Sequence, residues 1–354
     1  TLILSQKCYA CHNTAHVPVT AALELKARHG IAGADIAEIS VASSEKMVSH
    51  HYIPEPQDLM MAQYSAPFCV ALAFYRDPLD PRPDPLGVSA IEADSIHSFD
   101  AIHYRLDVTV SRVSNLISGT MTLDLAVVDP GITEIDLFDQ GLSVAAARVN
   151  GVARTFSVVA GKLLIPVCQG GDCPPHGAGD PLQVAVDYSA SPPALGFYYY
   201  GRNSYTLAEP YDGRYWWPCY DLPNDKATLD VYATVPDTNI CVSNGVLVSA
   251  AAGAPGKVVY HWQETHPIAT YLVAVTVGRF WQWTQTSGSL PILECVFPED
   301  STKAKFDFAN IPAMIPAFAA RWGPYAFDKY GQVAVTPFPA GGMEHQSMTT
   351  INRT

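Results

Sequence analysis

A glycine pair followed by an acidic residue is the segment of the sequence best suited to hold a peptide-like ligand. The segment consists of Gly341, Gly342, Met343, Glu344 and His345. It follows an apolar strand predicted over 332–336, and two glycines let a ligand backbone lie against the chain without a side-chain clash. Glu344 would place a carboxylate beside that channel. A plain turn is the commoner explanation of an isolated glycine pair, so both interpretations stay open on these residues alone.

A second stretch, 209–228, collects aromatic, proline and acidic residues between two predicted strands. Its sequence is EPYDGRYWWPCYDLPNDKAT. This composition suits a rigid, partly buried wall that holds one or two carboxylates in place. A structural plug that covers a sheet edge explains the same composition equally well.

The elements that must position these segments are mainly β-strands. From about Ser98 onward apolar and polar residues alternate, as Tyr104, Leu106 and Val108 do with their neighbours. A half-buried antiparallel sheet has this period of two. Turn signals separate the strands at Ser118-Gly119, Asp129-Pro130-Gly131, Asn150-Gly151 and Asn244-Gly245. The sequence therefore predicts a mainly β fold, an antiparallel β-saddle or sandwich of many short strands.

Shorter segments with helices are predicted on either side of this β region. Before it, the pattern predicts a helix over 17–29, a strand over 35–41 and a helix-rich segment over 58–75. The proline-rich stretch 76–87 predicts a linker. Beyond the β region, apolar residues recur at helical spacing, with two prolines that predict a kinked or broken helix. That helix and the strand over 332–336 are typical of the opening of an α/β domain.

The net charge narrows the range of partners. The 354 residues include 21 Lys and Arg against 34 Asp and Glu, which gives −13. Such a surface repels phosphate backbones and anionic lipid heads, so we predict no nucleic-acid partner. Because no apolar run reaches the roughly 18 to 20 residues that cross a bilayer, we also predict no membrane partner.

The cysteines leave the compartment open. Cys168 and Cys173 lie in one Gly-rich loop and are close enough in sequence to form a bridge. A disulfide there would imply an oxidising compartment, whereas two free thiols explain the loop equally well. Localisation therefore stays undetermined at this level.

Five motifs stand in a fixed order along residues 95–354: HYRLDVTV, EPYDGRYWWPCYDLPNDKAT, SNGVL, HPIATYLVAVTVG and GGMEHQ. In this order they resemble the M1 family of zinc aminopeptidases. The resemblance implies an N-terminal β domain over 86–288, followed by the beginning of a thermolysin-like catalytic domain over 289–354. It also implies that the substrate is a peptide with a free N-terminus.

The resemblance implies five substrate-binding residues: Glu209, Gly341, Gly342, Met343 and Glu344. Glu344 would grip the free α-amino group of the peptide, and Glu209 matches the position of a second amine-binding residue. The glycines and the methionine would supply backbone contacts. His345 stands where the commonest form of the family motif has Asn, and we interpret it as a variant of the same strand rather than a metal ligand.

The zinc motif of that family, His-Glu-x-x-His, does not occur in the printed sequence. It places two histidines one helical turn apart on one ion, while the glutamate activates the bound water. Here only His12 and His16 are four residues apart, and Asn13 stands where the catalytic glutamate would be. We therefore predict no metal ligand and no catalytic residue in this chain, an inactive fragment, and zinc in a full-length parent.

The N-terminal region carries two further signals. Cys8, Cys11 and His12 match the C-x-x-C-H haem signature, but a helix that leads into a strand does not fit a helical haem shell, so we predict no haem. The segments KCYACHNTAH, AALELKARHGI, DIAEISVAS and SAPFCVALAFYRDPLDPR resemble the C-terminal region of MmgE/PrpD-type proteins over residues 1–85. That resemblance implies basic groups at Lys7 and at His12 or His16, facing an anionic carboxylate substrate.

Three functions are therefore open at the level of sequence. The first is a fragment of a zinc-dependent M1 aminopeptidase that removes N-terminal residues from peptides. The second is an MmgE/PrpD-type dehydratase, decarboxylase or isomerase fragment, fused to a non-catalytic peptide-binding β module. The third is a non-enzymatic interaction module in which Glu209 and Glu344 are merely structural.

Overall fold

The structure is a computed structural model that describes residues 13–32, 35–41, 66–75, 97–168 and 175–353. The chain divides into two compact units, Thr1–Ile96 and His97–Thr354. The predicted division into 1–85, 86–288 and 289–354 remains a prediction.

Two helices form the described part of the first unit, α1 (Asn13–His29) and α2 (Ala66–Tyr75). They share a small apolar cluster made by Val19, Ala22, Cys69, Val70 and Phe74. The first helix ends as the sequence predicts, at Gly30, whose φ of +65° a residue with a side chain rarely adopts.

The strand predicted over 35–41 is wrong. These residues are mostly exposed and form no strand. Asp35 instead closes a local turn, since its backbone N–H donates to Ala32 O at 3.0 Å and its Oδ2 accepts the Ala32 N–H at 3.0 Å. Alternation alone does not make a strand, because the ladder also needs a partner. The predicted helix-rich residues 58–65 lie outside the described residues.

Twenty strands form four sheets in the described part of the second unit. They are β1 (Phe99–Ser111), β2 (Leu116–Val127), β3 (Glu134–Phe138), β4 (Ser143–Val149), β5 (Val152–Arg154), β6 (Ser157–Val159), β7 (Lys162–Pro166), β8 (Pro181–Ala190), β9 (Gly196–Tyr199), β10 (Asn203–Leu207), β11 (Ala227–Pro236), β12 (Ile240–Ser243), β13 (Val246–Ala252), β14 (Lys257–Ile268), β15 (Val275–Gly278), β16 (Trp281–Ser287), β17 (Leu290–Val296), β18 (Tyr330–Val335), β19 (Gly342–Met343) and β20 (Thr349–Asn352). The fold is mainly β with several antiparallel sheets, which confirms the predicted fold class.

The largest sheet has eight strands in the order β13-β14-β11-β1-β2-β8-β4-β5. Its pairs are antiparallel except for β1 with β11, which run parallel. The predicted alternation holds along β1, where Tyr104, Leu106 and Val108 are buried. These side chains join one continuous core with the four-stranded sheet β12-β15-β10-β9, which contributes residues such as Tyr205 and Val275. Two sheets that share a core in this way form the predicted sandwich.

The turn predicted at Ser118-Gly119 is wrong, because both residues lie inside β2. A Cβ added to Gly119 would sit 1.9 Å from the Asp107 carbonyl oxygen of the neighbouring strand. The glycine therefore permits a close approach of two strands and does not make a turn. The turn itself lies at 112–115 and ends on Asn115, whose φ is +50°.

The last sheet is mixed, with the order β16-β17-β18-β20-β19. β17, β18 and β20 are parallel neighbours, and the crossover between β17 and β18 carries helices α3 (Ser301–Asp307) and α4 (Ile311–Trp322). The predicted helical pattern, from Phe308 to Trp322, corresponds to α4, which is one helix through both prolines, so the alternative of a broken helix is wrong; α3 precedes the pattern. Pro312 lies in the first turn of α4, where a missing N–H has no cost, and Pro316 lies inside it. No helix in the described part of the chain is long and apolar enough to span a bilayer.

Candidate functional site

The glycine-rich segment forms the edge of the mixed sheet. β19 pairs with β20 on one side only, with Met343 opposite Thr350. Met343 and His345 are buried, whereas Glu344 is exposed, because side chains of an extended segment alternate between faces. The segment therefore presents the Glu344 carboxylate outward while its neighbours anchor it.

His345 is an anchor of this segment. It is 2 % exposed, and its Nδ1 lies 3.0 Å from Thr350 Oγ1 on the paired strand. Burial lowers the pKa of His345 to about 4, and the nearby Glu344 charge opposes that change. The imidazole is therefore neutral at pH 7, which suits a structural role in the strand.

The stretch 209–228 is built into the core and also pairs with the edge strand β3, where Phe138 N donates to Cys219 O at 2.7 Å. Trp216 and Trp217 are fully buried within it. Its Asp221 accepts hydrogen bonds from the Arg214 backbone N–H at 3.1 Å and from Arg214 Nε at 2.9 Å. Burial raises the pKa of Asp221, and the Arg214 charge counteracts it. These contacts make a rigid wall, at the start of which stands Glu209.

Tyr271 lies on a short turn that is hydrogen-bonded to this wall. The preceding residue, Thr270, donates from Oγ1 to Asp221 Oδ1 at 3.0 Å, which ties the turn Thr270–Leu272 to the wall. Burial, and then the charges of Glu344 and Glu209, raise the pKa of Tyr271 to about 12. The charges of both carboxylates therefore act on one phenol, although the two residues are 135 positions apart in sequence.

A second set of contacts joins the residues that precede β19 to strand β10. Thr336 N donates to Asn203 Oδ1 at 3.1 Å, and the Tyr205 hydroxyl donates to Pro337 O at 2.6 Å. The Tyr205 and Phe338 rings also lie 5.2 Å apart. Because β10 leads directly to Glu209, these contacts hold the segment that precedes β19 against the strand that precedes the wall.

Sequence reasoning missed two residues of this arrangement, Tyr271 and Asn244, and the Asn244 side chain donates from Nδ2 to Gln346 O at 2.6 Å beside the glycine-rich segment. Both stand in motifs that carry the family resemblance, HPIATYLVAVTVG and SNGVL. Neither motif states a role by itself, since a tyrosine in an apolar run and an Asn-Gly pair are ordinary core and turn residues.

Comparisons with known proteins relate this chain to one family of peptidases. Residues 100–272 match the family model of the peptidase M1 N-terminal domain. Aminopeptidase M1 of Arabidopsis thaliana is 26% identical over 271 residues, which is 71% of this chain and 30% of that protein. Aminopeptidase M1-A of Oryza sativa subsp. japonica is 30% identical over 151 residues, 42% of this chain and 17% of that protein. These matches support a relation between this chain and the M1 aminopeptidase family.

Solved structures of M1 proteins share the fold. An M1 zinc metallopeptidase from Deinococcus radiodurans aligns with a TM-score of 0.65 and 24% identity over 72% of this chain and 60% of its own. A mutant of the D. radiodurans enzyme, bound to a Tyr-Ser-Ala substrate, aligns with a TM-score of 0.62, 24% identity and the same coverage. The chain thus spans about a third or less of these plant M1 relatives and 60% of the matched M1 structures.

Since the family model covers 100–272, the resemblance of residues 1–85 to MmgE/PrpD proteins stays a prediction.

The described residues do not fit the zinc of M1 metallopeptidases. No group of three or more His, Cys, Asp and Glu suited to a metal occurs among them. His103 and His261 are engaged on the large sheet, where their Nε2 atoms lie 3.2 and 2.7 Å from the oxygens of Asp230. His12 lies outside the described residues, and of His16 only the helical backbone is described. No chemical step through zinc is therefore assigned to these residues.

The predicted cysteine pair is described in part. Cys168 is disulfide-bonded, and the candidate partner Cys173 lies outside the described residues. Four other cysteines are free and buried: Cys69, Cys219, Cys241 and Cys295.

Proposed function

We propose that this chain forms the part of a zinc-dependent M1 aminopeptidase that recognises the free N-terminus of a peptide substrate. Glu344 and Glu209 accept hydrogen bonds from the α-ammonium group. The observation that carries the proposal is that Glu344 and Glu209, far apart in sequence, both act electrostatically on the Tyr271 phenol, while the Thr270 and Tyr205 hydrogen bonds join the segments concerned. The M1 matches supply the kind of enzyme in which such a pair has a purpose.

Two fixed carboxylates are suited to this task. An enzyme that removes only the first residue of a peptide must distinguish an ammonium group from an amide. A charge-assisted hydrogen bond contributes roughly 1.5 to 3 kcal/mol, so two give roughly 3 to 6 kcal/mol. That energy corresponds to roughly a hundredfold to roughly a twenty-thousandfold preference for a free amine. Exposed Glu344 and half-buried Glu209 are both reachable by a ligand from solvent.

The edge strand supplies the peptide-binding surface in this proposal. β19 is paired on one side only, and Gly341 and Gly342 are exposed. A Cβ at Gly341 would meet no atom within 4 Å, so the face above it is open. Gly341, Gly342 and Met343 thus offer backbone groups to an extended peptide, which is how an exposed sheet edge binds a strand.

We propose that the 354 residues shown bind no catalytic zinc and hydrolyse no peptide by themselves. The reason is that His-Glu-x-x-His does not occur among them. Elemental analysis of the purified chain should find no stoichiometric zinc, and an amino-acid anilide should not be turned over. Tight stoichiometric metal together with turnover would contradict this part of the proposal.

Peptide binding tests amine recognition without any need for catalysis. We expect the chain to bind Ala-Ala-Ala-amide at least about a hundredfold more tightly than its N-acetyl form, as two charge-assisted bonds imply. Calorimetry or NMR titration measures both constants. Glu209→Gln and Glu344→Gln should each reduce that preference, whereas Glu134→Gln, an exposed change on β3, should leave it intact. Equal affinity for the two peptides in the wild-type chain would overturn the proposal.

The alternative of an MmgE/PrpD-type dehydratase, decarboxylase or isomerase fragment fused to a non-catalytic peptide-binding module stays a prediction. Its candidate residues Lys7 and His12 lie outside the described residues. No described residue of the first unit favours this alternative function over the aminopeptidase function.

A further inference from the structure

Asn244 is hydrogen-bonded to two segments of the candidate amine site, the Tyr271 turn and the glycine-rich segment. It is 1 % exposed and lies between β12 and β13. Its Oδ1 accepts the Ala274 N–H at 2.6 Å, and its Nδ2 donates to Leu272 O at 3.0 Å and to Gln346 O at 2.6 Å. One side-chain amide therefore holds the Tyr271 turn on one side and the end of the glycine-rich segment on the other.

The neighbouring backbone adds a second link to the same segment. Gly245 N donates to Ser347 Oγ at 2.6 Å, and Ser347 Oγ donates to Glu264 Oε2 at 3.0 Å. Ser347 and Glu264 are both buried. A Cβ at Gly245 would lie 1.8 Å from Gln263 O, so the chain passes closer to β14 here than a side chain allows. We refer to the contacts of Asn244 and Ser347 together as the Asn244 bracket.

The position of Glu344 depends on such contacts because regular pairing is short here. β19 contains two residues and pairs with β20, so the connecting residues 344–348 lie outside the ladder and are held by other bonds. Within the segment, Met348 N donates to His345 O at 3.1 Å. The Asn244 bracket binds the glycine-rich segment two residues after Glu344. It binds the other segment one residue after Tyr271.

We propose that Asn244 is a positioning residue that determines the distance between Glu344 and the Tyr271 turn. That distance determines the geometry in which an ammonium group is bound. The inference rests on the proposed function and names a further residue for it. Asn244 touches no substrate in this proposal and acts through Leu272 and Gln346.

The change Asn244→Asp tests the inference with almost no change of shape. It removes both Nδ2 donors and turns a carboxylate oxygen toward the carbonyls of Leu272 and Gln346, so the glycine-rich segment must move away. Losing a buried hydrogen bond of this kind reduces the free energy that holds the segment in place. We therefore expect the preference for Ala-Ala-Ala-amide over its N-acetyl form to fall about tenfold. Ser347→Ala, which removes the second link, should lower it in the same direction and serves if the first variant does not fold.

A variant that weakens the fold elsewhere separates positioning from general stability. Leu123→Ala opens a cavity in the core of the large sheet, far along the chain from the bracket. At a temperature where every variant is folded, it should keep the wild-type preference. A lower preference in Leu123→Ala equal to that in Asn244→Asp would overturn the inference.

The ring of Tyr271 gives a readout that a merely structural role of Asn244 does not move. The pKa of the phenol, followed by NMR of the labelled Cζ atom and assigned with Tyr271→Phe, should shift toward its ordinary value in Ser347→Ala, because Glu344 moves away and no charge is added. Asn244→Asp is not used for this readout, since its carboxylate next to Leu272 would itself raise the pKa of the phenol. If the wild-type chain does not prefer the free amine, the proposed function fails. If it does, and Asn244→Asp keeps the preference while Ser347→Ala keeps the Tyr271 pKa, this inference alone fails.

Discussion

Glu294 provides a quantitative test of the mixed sheet that carries the candidate site. It is fully buried in β17. Gln285 Nε2 donates to its Oε1 at a long 3.4 Å, and its Oε2 has no hydrogen-bond partner among the described residues. Burial raises the pKa of Glu294 to about 8, and the Gln285 hydrogen bond only partly offsets this. The folded chain therefore holds this carboxyl in its protonated form at pH 7.

The sign and size of the effect follow from linkage. The folded pKa lies above the unfolded one, so this group's contribution to stability is complete below pH 4.5 and is lost as the pH rises toward 8. The difference between 4.5 and about 8 corresponds to at most ~4.8 kcal/mol, at ~1.36 kcal/mol per pKa unit. At pH 7 the same arithmetic gives ~3.4 kcal/mol as an upper value.

The substitution Glu294→Gln keeps the shape and removes the ionisation. Urea unfolding followed by tryptophan fluorescence should show equal stability of the two proteins near pH 4.5, to within ~1 kcal/mol, and a more stable variant by ~3 to 5 kcal/mol at pH 9. The exposed change Glu134→Gln should leave the pH dependence as it is in the wild type. Parallel stability curves for wild type and Glu294→Gln would refute the assignment of a buried, protonated carboxyl.

Three further changes test other parts of the structure. Burial lowers the pKa of Lys329 to about 7, so wild-type stability should gain from this group as pH rises from 7 to 10.5, and urea unfolding of Lys329→Met should lack that gain. Gly119→Ala should cost more than ~2 kcal/mol in unfolding free energy, because its Cβ would overlap Asp107 O, whereas Gly201→Ala has open space and should be nearly neutral. Tyr271→Phe should keep the fold in thermal denaturation but change the affinity for Ala-Ala-Ala-amide, since the charges of both carboxylates act on the phenol.

The β region could be predicted from sequence because its cause is local. One face of each strand is buried and the other is not, so the period of two along β1 is visible in the residue types themselves. The turn at Asn150-Gly151 is local as well, and both residues adopt the positive φ that this pair favours.

The errors came from features that are not local. Gly119 resembles a turn residue, but its reason is a carbonyl oxygen twelve residues away on the adjacent strand. Residues 35–41 alternate like a strand, yet a strand needs a partner, and Asp35 makes a turn instead. Pattern reasoning detects what a residue prefers and not what lies opposite it.

The candidate site was predictable as two acidic positions and not as an arrangement. Glu209 and Glu344 came from motifs that resemble a family. Tyr271 and Asn244 came only from contacts across the sheets, such as the bond from Asn244 Nδ2 to Gln346 O, 102 residues apart. No periodicity or composition signals a partner at that separation.

The proposed convergence of Glu209 and Glu344 on one phenol can be tested without ligand, metal or turnover. The NMR titration of the Tyr271 Cζ atom should give a pKa of about 12 in the wild-type chain. It should fall toward the ordinary tyrosine value in Glu209→Gln and also in Glu344→Gln, because each change removes one negative charge beside the ring. A Tyr271 pKa that responds to only one of the two substitutions, or to neither, would contradict a shared amine site.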